Sequence, residues 1–419
     1  MDRAAVVTCF LRHDGEVLLF LRADDAETYP GRWGTVTGYV EHADPLATAR
    51  MEIREETALV EFDLARRGEP FEVRDESIDR TWEIHPFLFD AGSREVRTNE
   101  ETARAEWTVP TEILRRETVP DLWTSYDRVR PTPETVAADD EHGSAYLSIR
   151  ALEVLRDEAG VAADRGGGIG EIHDAAEALL DARPSMAALR NRVNRAVSGA
   201  ETPEEAERAA IEGIGRALDA DERAAACAAE TIEGHVLTLS RSGTVLAALR
   251  HGADAVTVAE SRPAREGIGV AEALDAAGVD IRVCTDAAIA HLLSGAGGDA
   301  IDAVLVGADT VLPDGRVVNK TGTRGTAIAA DREGAPVYAV AASDKVSPDA
   351  TLHLESGAPE AVYDGRPGIE AVNPTFDVTP ADAVDAVLTE RGALSAGDIE
   401  AVAADLRDLA TWRESGAEE

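Results

Sequence analysis

Apolar and polar residues alternate along the first part of the chain. "AAVVTCFLRHDGEVLLFLRAD", from Ala4 to Asp24, reads as two strands joined by a turn at Asp14-Gly15. Residues 1–130 carry such strand patterns, most of the tryptophans and one acidic helix. "VRPTPETVAADDEHGS" then has the proline and acid content of a linker, which places one at 131–144. The periodicity changes to helical over 145–230, as in "AYLSIRALEVLRDEAG" and "EEAERAAIEGIGRAL". From 231 to 419 short apolar runs alternate with helical stretches. The runs "HVLTLS", "AVTVAE", "IRVCTD", "AVLVGAD" and "PVYAVAAS" predict a parallel sheet with helices on both faces. Ligands of such sheets bind beyond the carboxyl ends of the strands, here marked by Ser240, Glu260, Asp286, Asp309 and Ser343. The fold class is therefore α/β.

Charge changes the picture. Eighty acids against 41 bases give a formal net charge of −39 over 419 residues. Such a surface repels nucleic acid and anionic membranes, so neither is expected as a direct partner. Acid excess with arginine in place of lysine suits the cytoplasm of a salt-loving archaeon, where salt screens self-repulsion; a GC-rich genome also favours arginine. No signal peptide is expected at "MDRAAVVTCF", and no apolar stretch reaches the length of a membrane span. Cys9, Cys227 and Cys284 are too scattered for a disulfide framework or a metal cluster.

Only two lysines occur, Lys320 and Lys345. Lys320 stands in "VVNKTGT", just before a predicted helix. Lys345 follows the next predicted strand. Both thus fall at the carboxyl-end face of the sheet, where a compact ammonium and a helix N-terminus suit a phosphate.

In the N-terminal part, Glu52, Glu55 and Glu56 stand at i, i+3 and i+4 and share one helix face. Carboxylates so crowded repel one another unless a cation lies among them, and Mg²⁺ prefers oxygen ligands. An acidic solvated face is the alternative. "YPGRWGTVTGYVE" followed by "EIREETAL" resembles the Nudix hydrolase family. The resemblance implies an α/β/α sandwich, with Glu52, Glu55 and Glu56 catalytic and binding Mg²⁺ (or Mn²⁺). It implies that Gly38 shapes the loop and Asp44 stands for the family's first Glu. The gap from Asp44 to Glu52 is one residue short, Met51 replaces an Arg, and Ala58 replaces a Gly. Glu101 and Glu106 are the candidates for a base outside the helix.

"HVLTLSRSGTVLAAL", "VAESRPAREG", "VGADTVLPDGRVVNKTGT", "AASDK" and "NPTFDVTPADAVDAVLTERG" resemble the family of ribose-1,5-bisphosphate isomerase, 5-methylthioribose-1-phosphate isomerase and the regulatory subunits of translation initiation factor 2B. The resemblance covers about 145–410 and implies a small helical subdomain followed by a Rossmann-like sheet. By analogy Asp309 is the catalytic acid, Asn319, Lys320 and Lys345 bind phosphate, and Arg183 contacts substrate. Arg165, Gly166 and Gly167 resemble a phosphate loop. Glu266 takes the place of a substrate-contacting Gln, and Ser240 the place of the isomerases' catalytic Cys. A serine is a poor proton-transfer group near neutrality. The expectation is a Nudix-type hydrolase of a nucleoside diphosphate derivative, joined to a domain that binds a sugar phosphate or nucleotide. The alternatives are a non-catalytic regulator partnered by translation initiation factor 2, and a sugar-phosphate isomerase. The second family also implies self-association into a homo-oligomer.

Overall fold

The structure, a computed structural model, describes residues 2–40, 44–99, 101–296, 298, 300–352, 354–366 and 368–415. By contacts the chain forms two compact units. One comprises Met1–Val136, Arg150–Ala175 and Ala200–Ile214, the other Ala137–Ile149, Ala176–Gly199 and Gly215–Glu419.

The first unit holds strands β1 (Asp2–His13), β2 (Glu16–Arg22), β3 (Trp33–Gly34) and β4 (Val36–Tyr39), then helix α1 (Pro45–Thr57). Strands β5 (Phe62–Arg67), β6 (Phe71–Asp75), β7 (Arg80–Ala91) and β8 (Thr102–Thr108) follow, with short helices α2 (Glu112–Arg115), α3 (Leu122–Asp127) and α4 (Pro133–Ala138). The β1–β2 turn is at Asp14-Gly15, both with positive φ. The long strands β1 and β7 run parallel, from Asp2 opposite Arg80 to Arg12 opposite Asp90, and the other pairings are antiparallel. Period-two alternation on β1 sends Val7, Cys9 and Leu11 to one core with Ala49 and Ile53 of α1, and Phe10 to another with Ile113, Leu122 and Tyr126. The sheet is thus covered on both faces.

Within 131–144, the stretch with linker composition, α4 forms. Thr132 precedes Pro133 at the first helical position, and its hydroxyl accepts the Thr135 amide at 3.3 Å, a start signal stronger than the local proline content. Helices α5 (Ser144–Arg165), α6 (Ile169–Ala182), α7 (Ala187–Val197) and α8 (Pro203–Thr231) come next. On α5, Glu153, Arg156 and Asp157 are wholly buried in the first unit. Arg12 donates to Glu153 at 3.0 Å and grips Asp90 at 2.7 Å, while Arg156 binds Asp157 at 2.8 Å and the Gly15 carbonyl. Periodicity gives no hint of this ionic core.

The second unit is built on β9 (His235–Thr238), α9 (Gly243–Gly252), β10 (Ala255–Ala259), α10 (Glu266–Asp275), β11 (Asp280–Cys284), α11 (Ile289–Leu293), β12 (Ala303–Gly307), β13 (Thr310–Val311), β14 (Val317–Lys320) and α12 (Thr323–Glu333). It ends with β15 (Val337–Val340), β16 (Phe376–Thr379), β17 (Ala386–Thr389), β18 (Gly392–Leu394), α13 (Ala396–Asp408) and α14 (Trp412–Ser415). All five runs read from the sequence form strands of one sheet, ordered β11-β10-β9-β12-β15-β17-β18. Its pairings are parallel except β17–β18. Its two faces carry separate cores, one with α9 and α10, the other with α12 and α13. The chain starts at β9, winds outward to β11, then returns to place β12 beside β9. That reversal opens the crevice between the carboxyl ends of β9 and β12. A small antiparallel sheet, β13-β14-β16, stands apart from the main one.

Candidate functional sites

In the first unit a cavity of about 560 Å³ is lined by Glu52, Glu55 and Glu56 of α1, Thr37 and Gly38 of β4, and Glu101. Helix α1 turns Ala49, Ile53 and Thr57 into the core at four-residue spacing, which leaves the glutamates on the flank facing this space. Glu56 accepts the Thr37 amide at 3.3 Å. Burial pushes its carboxyl up to about 8, against that hydrogen bond, and the Glu52 charge adds to the rise. Gly38 fits because a Cβ there would lie 2.1 Å from the Glu52 Cδ. The Cys9 thiol beneath is raised by burial, then by Glu56 and Glu52.

Among the described residues, no three His, Cys, Asp or Glu side chains gather closely enough to hold a metal ion by themselves. The donors nevertheless suit a hard divalent cation: their atoms are carboxylate oxygens, and a cation would relieve the mutual repulsion of Glu52, Glu56 and Glu101. Substrate oxygens and water would supply the remaining ligands.

The departures from the Nudix pattern have physical outcomes. Asp44 caps α1, accepting the Leu46 amide at 3.0 Å, and does not line the cavity; residues 41–43 of the motif lie outside the described residues. Met51 lines the cavity. Ala58 keeps the left-handed conformation, φ 58° and ψ 13°, and its amide closes the helix on the Arg54 carbonyl at 3.0 Å. The two candidate bases separate. Glu106 is bound at 2.7 Å by both Arg116 and Arg104, and Arg116 holds its carboxyl below the usual range. Glu101 faces the cavity. Sequence patterns did not single out the aromatic residues that also line the cavity. Tyr39 stacks at a tilt on Trp82, with ring centroids 6.1 Å apart, and the Trp82 indole donates to the Tyr29 hydroxyl at 2.9 Å.

In the second unit a polar cluster fills the switch-point crevice. Ser240, after β9, has φ 66°, and its amide is held by the Ser261 hydroxyl at 2.6 Å. The Ser240 hydroxyl donates to Glu266 at 3.0 Å. The other Glu266 oxygen accepts from Lys320 at 3.1 Å. Lys345, buried in a single 3₁₀ turn after β15, donates to the Ala308 carbonyl at 2.7 Å. Asp309 lies beside them, with the Ser144 hydroxyl at 3.4 Å. Burial pushes the Asp309 carboxyl up, while Lys345 and Lys320 pull it down.

Other predicted residues take different roles. Asn319 is buried and donates to Thr323 at 2.9 Å, fixing the turn into α12. The N-terminus of α12, an expected anion site, is already capped: Asp377 of β16 accepts the Gly322 amide at 2.8 Å and the Arg324 amide at 3.1 Å. Arg183 holds the Asp139 carbonyl and reaches Asp140 at 3.3 Å, and Arg241 holds the Glu141 carbonyl at 2.5 Å. These contacts secure the segment that leads to Ser144. Arg165, Gly166 and Gly167 group with the first unit, where Arg165 pairs with Glu171. Ser144 and Ser261 carried no signal beyond ordinary serines.

Residues 1–129 match the NUDIX domain and 140–396 the initiation factor 2 subunit family. The ribose 1,5-bisphosphate isomerase of Archaeoglobus fulgidus is 30% identical over 290 residues, covering 64% of this chain and 90% of that protein. The methylthioribose-1-phosphate isomerase of Azotobacter vinelandii is 38% identical over 163 residues, 36% of this chain and 44% of that one. Among solved structures, the translation initiation factor eIF-2B of Pyrococcus horikoshii superposes with a TM-score of 0.54 at 25% identity, over 62% of this chain and 94% of its own. The acidic cavity thus sits on a NUDIX domain and the Ser240–Glu266 cluster on a sheet domain matched along most of its length, and the chain belongs to the initiation factor 2 subunit family.

Proposed function

We propose that the N-terminal cavity hydrolyses the diphosphate linkage of a nucleoside diphosphate derivative, and that the C-terminal cluster binds a sugar phosphate or nucleotide. One observation carries the first part: a single cavity is lined both by Glu52, Glu55, Glu56 and Glu101 and by Tyr29, Tyr39 and Trp82. The acids suit a cation-bridged diphosphate, and the rings suit a base. Glu52, Glu55 and Glu56 would hold magnesium or manganese, which when bound neutralises diphosphate charge and activates water. Gly38 gives Glu52 its room, and Thr37 orients Glu56. Glu101, which lines the cavity as Glu106 does not, accepts the proton of the attacking water.

The test is hydrolysis of ADP-ribose, dinucleotides and damaged nucleoside triphosphates in molar potassium chloride with Mg²⁺. Native protein turns over at least one of them, and Glu55→Gln loses at least about 100-fold. No turnover, or full activity in the variant, overturns the proposal.

At the C-terminal cluster, Asp309 with Lys320 and Lys345 supports a phosphorylated ligand. The relatives named above act, by their names, on ribose 1,5-bisphosphate and methylthioribose 1-phosphate. Both are five-carbon aldose 1-phosphates, and this class is the ligand proposed here. A second reading, a non-catalytic regulator bound to translation initiation factor 2 or to a second copy, is favoured by Ser240 at the isomerases' cysteine position. An inactive hydrolysis panel with a partner retained in a high-salt pull-down would support it.

A further inference from the structure

Two departures from the isomerase pattern meet in space. Ser240 stands where a cysteine is expected and Glu266 where a glutamine is expected, and the Ser240 hydroxyl donates to the Glu266 carboxylate at 3.0 Å. A thiol has been lost and a carboxylate gained within one hydrogen bond. We propose that Glu266 is the proton-transfer group of the C-terminal site, replacing the absent thiol, and that this site isomerises a five-carbon aldose 1-phosphate to its ketose. The inference rests on the reading of the cluster as a sugar-phosphate site.

The arrangement supplies each part. Ser240 is fixed by its left-handed backbone and by the Ser261 hydroxyl, so it is a positioning residue for Glu266. Lys320 holds the other carboxylate oxygen at 3.1 Å. A phosphate arriving at Lys320 competes for the same ammonium and so releases that carboxylate oxygen toward the substrate. Asp309 is pushed toward its protonated form by burial and can act as the acid.

The step balances without a co-reactant. Asp309 gives its proton to the ring oxygen as the C1–O4 bond breaks, and Glu266 takes the C2 proton. The electrons of the C2–H bond form the C1=C2 double bond of an enol phosphate. The C2 hydroxyl then returns a proton to Asp309 as the C2 carbonyl forms, and C1 receives the proton from Glu266. The sugar phosphate is rearranged, with no net oxidation.

The experiment uses the full chain in molar potassium chloride, with ribose 1,5-bisphosphate and methylthioribose 1-phosphate as separate probes. Calorimetry measures binding, and phosphorus NMR follows conversion. Native protein should convert at least one probe. Glu266→Gln should bind it within about threefold of native affinity yet convert it at least about 100-fold more slowly. Ser240→Ala should retain part of the rate with a displaced pH–rate profile, as a positioning role requires. Combining Ser240→Cys with Glu266→Gln should recover part of the lost rate through the thiol. Conversion by Glu266→Gln within threefold of native overturns the proposal. Binding by native protein without conversion of either probe also overturns it. Absence of binding removes the sugar-phosphate reading itself.

Discussion

Ala58 ends α1 in a conformation that costs an L-residue roughly 1–2 kcal/mol. Its side chain is exposed, so replacement by glycine sacrifices no buried contact. The counterweight is the larger backbone entropy that glycine loses on folding, roughly 0.4–1 kcal/mol. The difference predicts that Ala58→Gly stabilises the N-terminal unit by about 0.5–1 kcal/mol. Urea unfolding in molar potassium chloride is the assay, with tryptophan fluorescence as its signal. Four of the five tryptophans, Trp33, Trp82, Trp107 and Trp123, belong to this unit, so its transition dominates the signal. Ala58→Val should lose stability, since a branched side chain tolerates positive φ least. A glycine variant equal to or weaker than native protein would refute the reasoning, because the left-handed turn would then carry no strain for glycine to remove.

Gly38→Ala should leave stability nearly unchanged but displace the Glu52 carboxylate, lowering Mg²⁺-dependent hydrolysis at least about tenfold; circular dichroism and the hydrolysis panel separate the two effects. With chelator present, the raised Glu56 carboxyl stabilises the fold fully below its ordinary pKa of 4.5. That contribution is lost as pH rises through about 8, and Glu56→Gln should flatten the pH dependence of the urea midpoint. Glu153→Gln leaves Arg12 short of a buried partner and should cost about 3–5 kcal/mol, read in the same unfolding experiment. Lys320→Glu should abolish the thermal stabilisation given by ribose 1,5-bisphosphate, whereas the exposed Arg332→Glu should not.

The fold was legible wherever one periodicity ran uninterrupted. The hairpin at Asp14-Gly15 and the five parallel strands were read because each is a short apolar run bounded by turn residues. Glu52, Glu55 and Glu56 were legible because helical spacing alone puts them on one face. What escaped depends on partners far along the chain. The cap that Asp377 places on α12 joins residues more than 50 positions apart, and no local pattern marks it. The buried pairs of Arg12, Glu153 and Arg156 look like ordinary surface charges in so acidic a chain. The choice between Glu101 and Glu106 turned on Arg116, ten residues beyond Glu106. The bond between Ser240 and Glu266 gives meaning to two departures that, read one at a time, had only suggested loss.

The parallel pairing of β1 with β7 has a consequence in time. From Asp2 to Arg12, each residue of β1 meets a partner 78 positions later. At ordinary rates of synthesis the first strand waits on the order of 10 s before β7 exists. Arg12 waits longer, because Glu153 is made 141 residues after it. Until then the apolar flanks of β1 have β2 and β4 for cover, but its edge toward β7 remains open. The unit therefore closes late on the ribosome, and a nascent chain stalled before residue 80 would present that edge to chaperones or to another chain.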